Sequence, residues 1–152
     1  MCRESMNALF RLGALLVFLA SAAIPCLAMR EISLVSTNEA AAMGIVLRAT
    51  PAGPAAAWLE LEFKTEGRLK DYSPERRASR VELEVRDGDA LRVGYVALQE
   101  QHPQPGQVRV RFLADRNYLS QIVLTIVVGD GLLPGGAFEL RVKDFVDPAR
   151  LR

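Results

Sequence analysis

Hydrophobic and polar residues alternate with a period of two along most of the chain beyond residue 30, the spacing of a β-strand with one face buried and one face wet. Trp58 to Lys64 shows it most cleanly: Leu59, Leu61 and Phe63 point one way, and Glu60, Glu62 and Lys64 the other. Val108, Val110 and Phe112 alternate with Arg109 and Arg111. Phe138, Leu140 and Val142 alternate with Glu139, Arg141 and Lys143. Ile32 and Leu34, set between Glu31 and Ser33, read as a first strand, and residues 45–50 as another.

The stretch from Gln121 to Val128 departs from this pattern. Ile122, Leu124, Ile126 and Val128 would line one face, and Val123 and Val127 the other, with Thr125 the only polar residue between Ile122 and Val128. Strands of an antiparallel sheet commonly show water one polar face, so the second face of this strand needs a cover. Two covers are in view. One is internal, the short Ala40–Met43 segment or a long loop lying over the strand. The other is a partner protein on Val123, Thr125 and Val127, with Arg109 and Arg111 as a charged rim on a neighbouring strand. An open edge is set aside, because natural edges are blunted by charge or proline and this strand has neither.

The strongest local signal is a hairpin. Val81, Leu83 and Val85 share one face, Leu91, Val93 and Tyr95 share another, and Asp87-Gly88-Asp89 lies between them as turn chemistry. A three-residue loop pairs Val85 with Leu91, Leu83 with Val93 and Val81 with Tyr95, and sets Glu84 opposite Arg92. Breaks fall at PAGPAA, at the polar loop QEQHPQPGQ and at GDGLLPGG. Ser36 with Glu39 three residues on has capping-box spacing, and Gly44 supplies a stop, so one or two helical turns are expected between them. Ser73 and Pro74 open a second short turn. Asp115-Arg116-Asn117 turns the chain, with Asn117 able to take a left-handed conformation.

Seven or eight short strands with turns between them predict an all-β fold, an antiparallel β-sandwich of immunoglobulin-like size, with a small β-barrel as the alternative. The cysteine pair and core Trp spacing of true immunoglobulin domains are absent.

Composition changes this picture at the N-terminus. Arg3 and Arg11 precede an uncharged run, Leu12–Ile24. Pro25 breaks it, and Ala28 offers a cleavage position, the layout of a secretory signal peptide over residues 1–28. The run is shorter than the roughly 20 residues a membrane span needs, so no stable span is expected after processing. Residues 29–147 then form one domain, and residues 148–152 a frayed tail. Cys2 and Cys26 both leave with the leader, so no disulfide is expected. The bias to Arg over Lys, with frequent Ala, Gly and Pro, suggests a GC-rich bacterial source. The destination is read as periplasmic or extracellular.

Charge and chemistry exclude more than they suggest. Of 19 basic and 18 acidic residues, the leader takes Arg3, Arg11 and Glu4, which leaves the signs balanced and gives no footprint for nucleic acid. His102 is the only histidine and sits between Gln101 and Pro103. No serine has a nucleophile-elbow pattern for it to serve. No catalytic residue, metal ligand set or cofactor motif is therefore assigned. Asp87, Asp89 and Asp130 adjoin glycines and read as turn formers. Glu60/Glu62 and Glu82/Glu84 read as solvated strand faces. Trp58, Tyr72, Tyr95 and Tyr118 do not assemble into an aromatic platform for sugars. The expectation is a non-catalytic exported interaction module that binds a partner protein or a second copy of itself. The alternative is a small-ligand or carbohydrate-binding domain.

Overall fold

The computed structural model describes residues 32–73, 79–88, 90–95, 99–129 and 134–151. The leader, the turn expected after Ser73, and Asp130 lie outside them. Among the described residues nine strands run β1 (Ile32–Leu34), β2 (Val46–Pro51), β3 (Ala56–Lys64), β4 (Arg80–Asp87), β5 (Ala90–Tyr95), β6 (Gln99–Gln101), β7 (Gln107–Asp115), β8 (Ile122–Gly129) and β9 (Pro134–Arg141). They form two sheets, ordered β1-β9-β8-β4-β5 and β2-β3-β7-β6. The protein is a β-sandwich, and neither sheet closes into a barrel. The order β2-β3-β7-β6 against β9-β8-β4-β5 matches A-B-E-D against G-F-C-C′, the wiring of immunoglobulin-type sandwiches. All pairings are antiparallel except that of β1 with β9.

The interior follows the alternation. Leu59, Leu61 and Phe63 of β3 pack with Val108, Val110 and Phe112 of β7. They face Leu83 and Val85 of β4, Leu124 and Ile126 of β8, and Leu140 of β9 across the sandwich. Each of these side chains is almost wholly removed from water, which is worth about 1.5–3 kcal/mol apiece before the entropy of ordering is set against it.

The chain crosses between sheets early. β1 belongs to the five-stranded sheet and β2 to the four-stranded one, and helix α1 (Thr37–Ala42) links them. Its capping box is complete. The Ser36 hydroxyl accepts from the Glu39 amide, and the Glu39 carboxylate accepts from the Ser36 amide at 2.9 Å. These bonds hold the Glu39 carboxyl below its usual pKa. Gly44 ends the helix at φ 69°, where a Cβ would be strained. Ala40 is buried in the core itself. The segment therefore plugs the margin between the sheets and is not laid over the outer face of β8.

Four further expectations are corrected. The β4–β5 hairpin closes Asp87 against Ala90 and pairs Leu83 with Tyr95 and Val85 with Val93. This is two residues from the expected register. A bulge between Val85 and Arg86 leaves Arg92 without an opposite number, and Glu84 faces Gly94. A shift of two keeps Val93 and Tyr95 opposite Val85 and Leu83, so hydrophobic phase alone does not resolve it, and the bulge sets Leu91 opposite Arg86. The inward side chains expected of Leu91, Val93 and Tyr95 lie outside what is described. Gln99–Gln101, read as loop, is an edge strand held by β7. After β7 the chain forms a 3-10 helix, Arg116–Gln121, capped by the Asp115 carboxylate on the Asn117 amide at 2.8 Å, and Asn117 has no positive φ. The C-terminal residues do not fray. Helix α2 (Val142–Phe145) and a 3-10 turn, Pro148–Leu151, return the chain to the body, and Leu151 joins the core.

Candidate functional site

The register of the two sheets sorts every outward side chain into rows. On the five-stranded sheet one row is Ile32, Ala137, Val127 and Arg80. The next is Leu34, Glu139, Thr125 and Glu82, and the third is Arg141, Val123 and Glu84. The apolar outer face of β8 lies in the middle of these rows. Val123, Thr125 and Val127 are only 9%, 5% and 2% exposed.

Charged side chains arch over this face. Arg86 donates from Nε to Glu84 on its own strand at 2.8 Å, and from an Nη to Glu139 on β9 at 2.8 Å. β8 runs between β4 and β9, so the guanidinium must cross above Val123 and Thr125 to reach Glu139. Its aliphatic stem replaces water on the apolar strand while its head stays paired. Hydrogen bonding to Glu139 holds the guanidinium above its usual pKa. Arg80 pairs with Glu82 beside it. Among the described residues this face carries Arg80, Arg86 and Arg141 against Glu82, Glu84 and Glu139, so its signs cancel.

Arg109 and Arg111 are not a rim to this surface. They lie on β7, in the other sheet, and point away from the core on the opposite side of the sandwich. Alternation had fixed which face of its strand each arginine occupies, but not which strands are neighbours. The five residues expected to act together therefore divide into a sealed group of three and an open group of two.

The open group sits in a different setting. One row is Arg48, Glu60 and Arg111, and the next is Val46, Glu62, Arg109 and Gln101. A third, Thr50, Trp58 and Leu113, lies beside the first. Trp58 is half-buried, and the Arg111 guanidinium stacks over its ring at 4.7 Å. Leu113 is 41% exposed and Val46 is 40%. Arg109 donates to Glu62 at 2.8 Å, and Arg48 approaches Glu62 at 3.6 Å and Glu60 at 3.9 Å. Arg111 lies 3.5 Å from Glu60, an electrostatic contact without hydrogen-bond geometry, and its buried Nε has no hydrogen-bond partner among the described residues. Trp and Arg are residue types enriched at the anchoring points of protein interfaces, and here they stack beside an exposed leucine.

His102 has company that the sequence did not reveal. Its Nε2 lies 3.4 Å from the Glu100 carboxylate, which also accepts from the Tyr72 hydroxyl at 3.2 Å. Burial, with Glu100 adding to it, pushes the Tyr72 phenol far above its usual pKa, so it stays protonated and is a poor nucleophile or base. Its ring packs edge-on against Phe63 at 4.9 Å. The group ties the loop after β4's predecessor strand to β6. Among the described residues no group of three or more His, Cys, Asp or Glu side chains could hold a metal ion, and no helix is long and apolar enough to cross a membrane.

Comparison with protein-family models, with curated proteins and with solved structures finds no match to this chain.

Proposed function

We propose that the chain is a non-catalytic interaction module, exported to the periplasm or the cell exterior, that binds a partner protein on the outer face of β2, β3 and β7. The observation that carries this reading is the Trp58–Arg111 stack beside exposed Leu113. A half-buried indole held rigid by a guanidinium is already ordered, so little side-chain entropy remains to be lost on association. The apolar strand β8, the alternative candidate, is covered by its own sheet. Export rests on the Leu12–Ile24 run and Ala28, and the absence of catalysis on the lack of an assignable nucleophile–base pair.

A photo-reactive residue at position 113, introduced in the native host, tests the partner reading, with the same residue at position 123 as control. A single protein captured at 113, lost on Trp58→Ala and never captured at 123 supports it. Equal capture at both positions overturns the choice of face. Signal on a glycan array with no cross-linked protein moves the function to carbohydrate binding. The stack disfavours that alternative, because the guanidinium already occupies a face of the only indole. An intact mass for the exported form beginning at Met29 checks the leader.

A further inference from the structure

The proposed face has a chemistry that narrows its partner. Glu60 and Glu62 must serve Arg48, Arg109 and Arg111 together. The carboxylates lie low: the Glu62 and Glu60 side chains are 14% and 28% exposed, against 34%, 37% and 60% for Arg109, Arg111 and Arg48. A partner approaching from solvent therefore meets guanidinium first. Each guanidinium has five N–H donors in a planar fork, and two shared carboxylates cannot take all of them. Counting the whole described face, Arg48, Lys64, Arg109 and Arg111 stand against Glu60, Glu62 and Asp115, and the Asp115 carboxylate is turned to cap the Asn117 amide.

Resting on the reading that this face binds protein, we infer that its partner is an acidic segment carrying one large apolar residue beside its carboxylates. The apolar residue seats on Trp58 and Leu113, and the carboxylates lie on the two arginine rows next to them. Successive rows are two strand residues apart, about 7 Å. Alternate residues of an extended segment match that spacing, in the order apolar, acidic, acidic. A second copy of this chain is a poor occupant, because a two-fold contact would set these guanidiniums against themselves.

The test uses the full-length protein and a fluorescein-labelled peptide, Trp-Ser-Glu-Ser-Glu, with Gln and Lys versions in place of Glu. Fluorescence anisotropy should show binding of the Glu peptide alone. Affinity should fall about tenfold or more in Arg48→Ala/Arg111→Ala, and several-fold when ionic strength rises from about 0.05 to about 0.5 M. The peptide series is read on the unaltered protein, so it stands even if the double variant folds poorly. Equal binding of the Gln or Lys peptide overturns the inference, as does no binding of the Glu peptide. Binding of a sulfated oligosaccharide or of phosphatidylglycerol vesicles in place of the Glu peptide overturns it too. A protein captured at position 113 while the Glu peptide fails to bind would leave the partner reading intact and remove only the acidic specificity. Failure of both removes both.

Discussion

On the outer face of the five-stranded sheet Arg86 takes two carboxylates, Glu84 and Glu139, in one arch. On the outer face of the four-stranded sheet three arginines share Glu60 and Glu62. The residue types are the same and both sheets present an Arg/Glu ladder. What differs is where the apolar side chains stand. On the first face the apolar strand is central, and long side chains on both flanks can close over it. On the second, Arg111 lies over the Trp58 ring, but Leu113 sits beside the ladder and stays 41% exposed. A ladder seals what it spans and exposes what it adjoins.

The largest effect that could break this contrast comes from matched charges. Val123→Glu places a carboxylate under the arch and should destabilise the fold by about 3 kcal/mol, a fall of roughly 10 °C or more in Tm. Leu113→Glu on the open face should stay within about 0.5 kcal/mol. Equal shifts in thermal denaturation would mean that the two faces are not covered differently.

Removing the cations sharpens it. Arg86→Ala should cost about 1–2 kcal/mol, because it strips hydrogen bonds from two carboxylates and uncovers Val123. Arg109→Ala, which leaves Glu62 with Arg48 still 3.6 Å away, should cost no more than about 1 kcal/mol and should matter less in high salt. Urea midpoints at two salt concentrations measure both.

A smaller effect tests the interior the two faces share. Tyr72→Phe should lose about 1 kcal/mol through its bond to Glu100. The folded-state phenol has a raised pKa. Its contribution is therefore complete below the unfolded tyrosine value of about 10, and is lost as pH rises through the folded value. In an alkaline titration followed by tyrosinate absorbance, Tyr72 should ionise together with unfolding. The smallest effect is at His102. His102→Ala should change neither the Tm nor any binding found, and an activity abolished by that change alone would displace the interaction-module reading.

Much of the fold was legible because alternation reports burial directly. Leu59, Leu61 and Phe63, like Val108, Val110 and Phe112, face the core as their period requires. The capping box announced α1 because its bonds are local. What the sequence concealed was non-local. β1 turns Ile32 and Leu34 to water, 59% and 49% exposed, because they share the outer face with Ala137 and Glu139 of its parallel partner. β6 is three polar residues joined to β7 by backbone bonds, which leave no trace in side-chain pattern. The site suffered most. Trp58 was legible as an aromatic but not as a stack, since its neighbours Arg111 and Leu113 are supplied by a strand some fifty positions away.

That same distance governs when the domain can exist at all. β1 has its partner in β9, with Ile32 opposite Ala137, and the core is plugged by Leu151. A ribosome delivers β1 well before β9. Until residues 137–139 emerge, the first strand has no sheet to join, and Ile32 and Leu34 stand on an open edge. Hairpins such as β2–β3 can form early, but the five-stranded sheet is completed only when β9 joins β1 and β8. Until then the chain carries an unpaired first strand, and folding waits on the pairing that closes its longest loop.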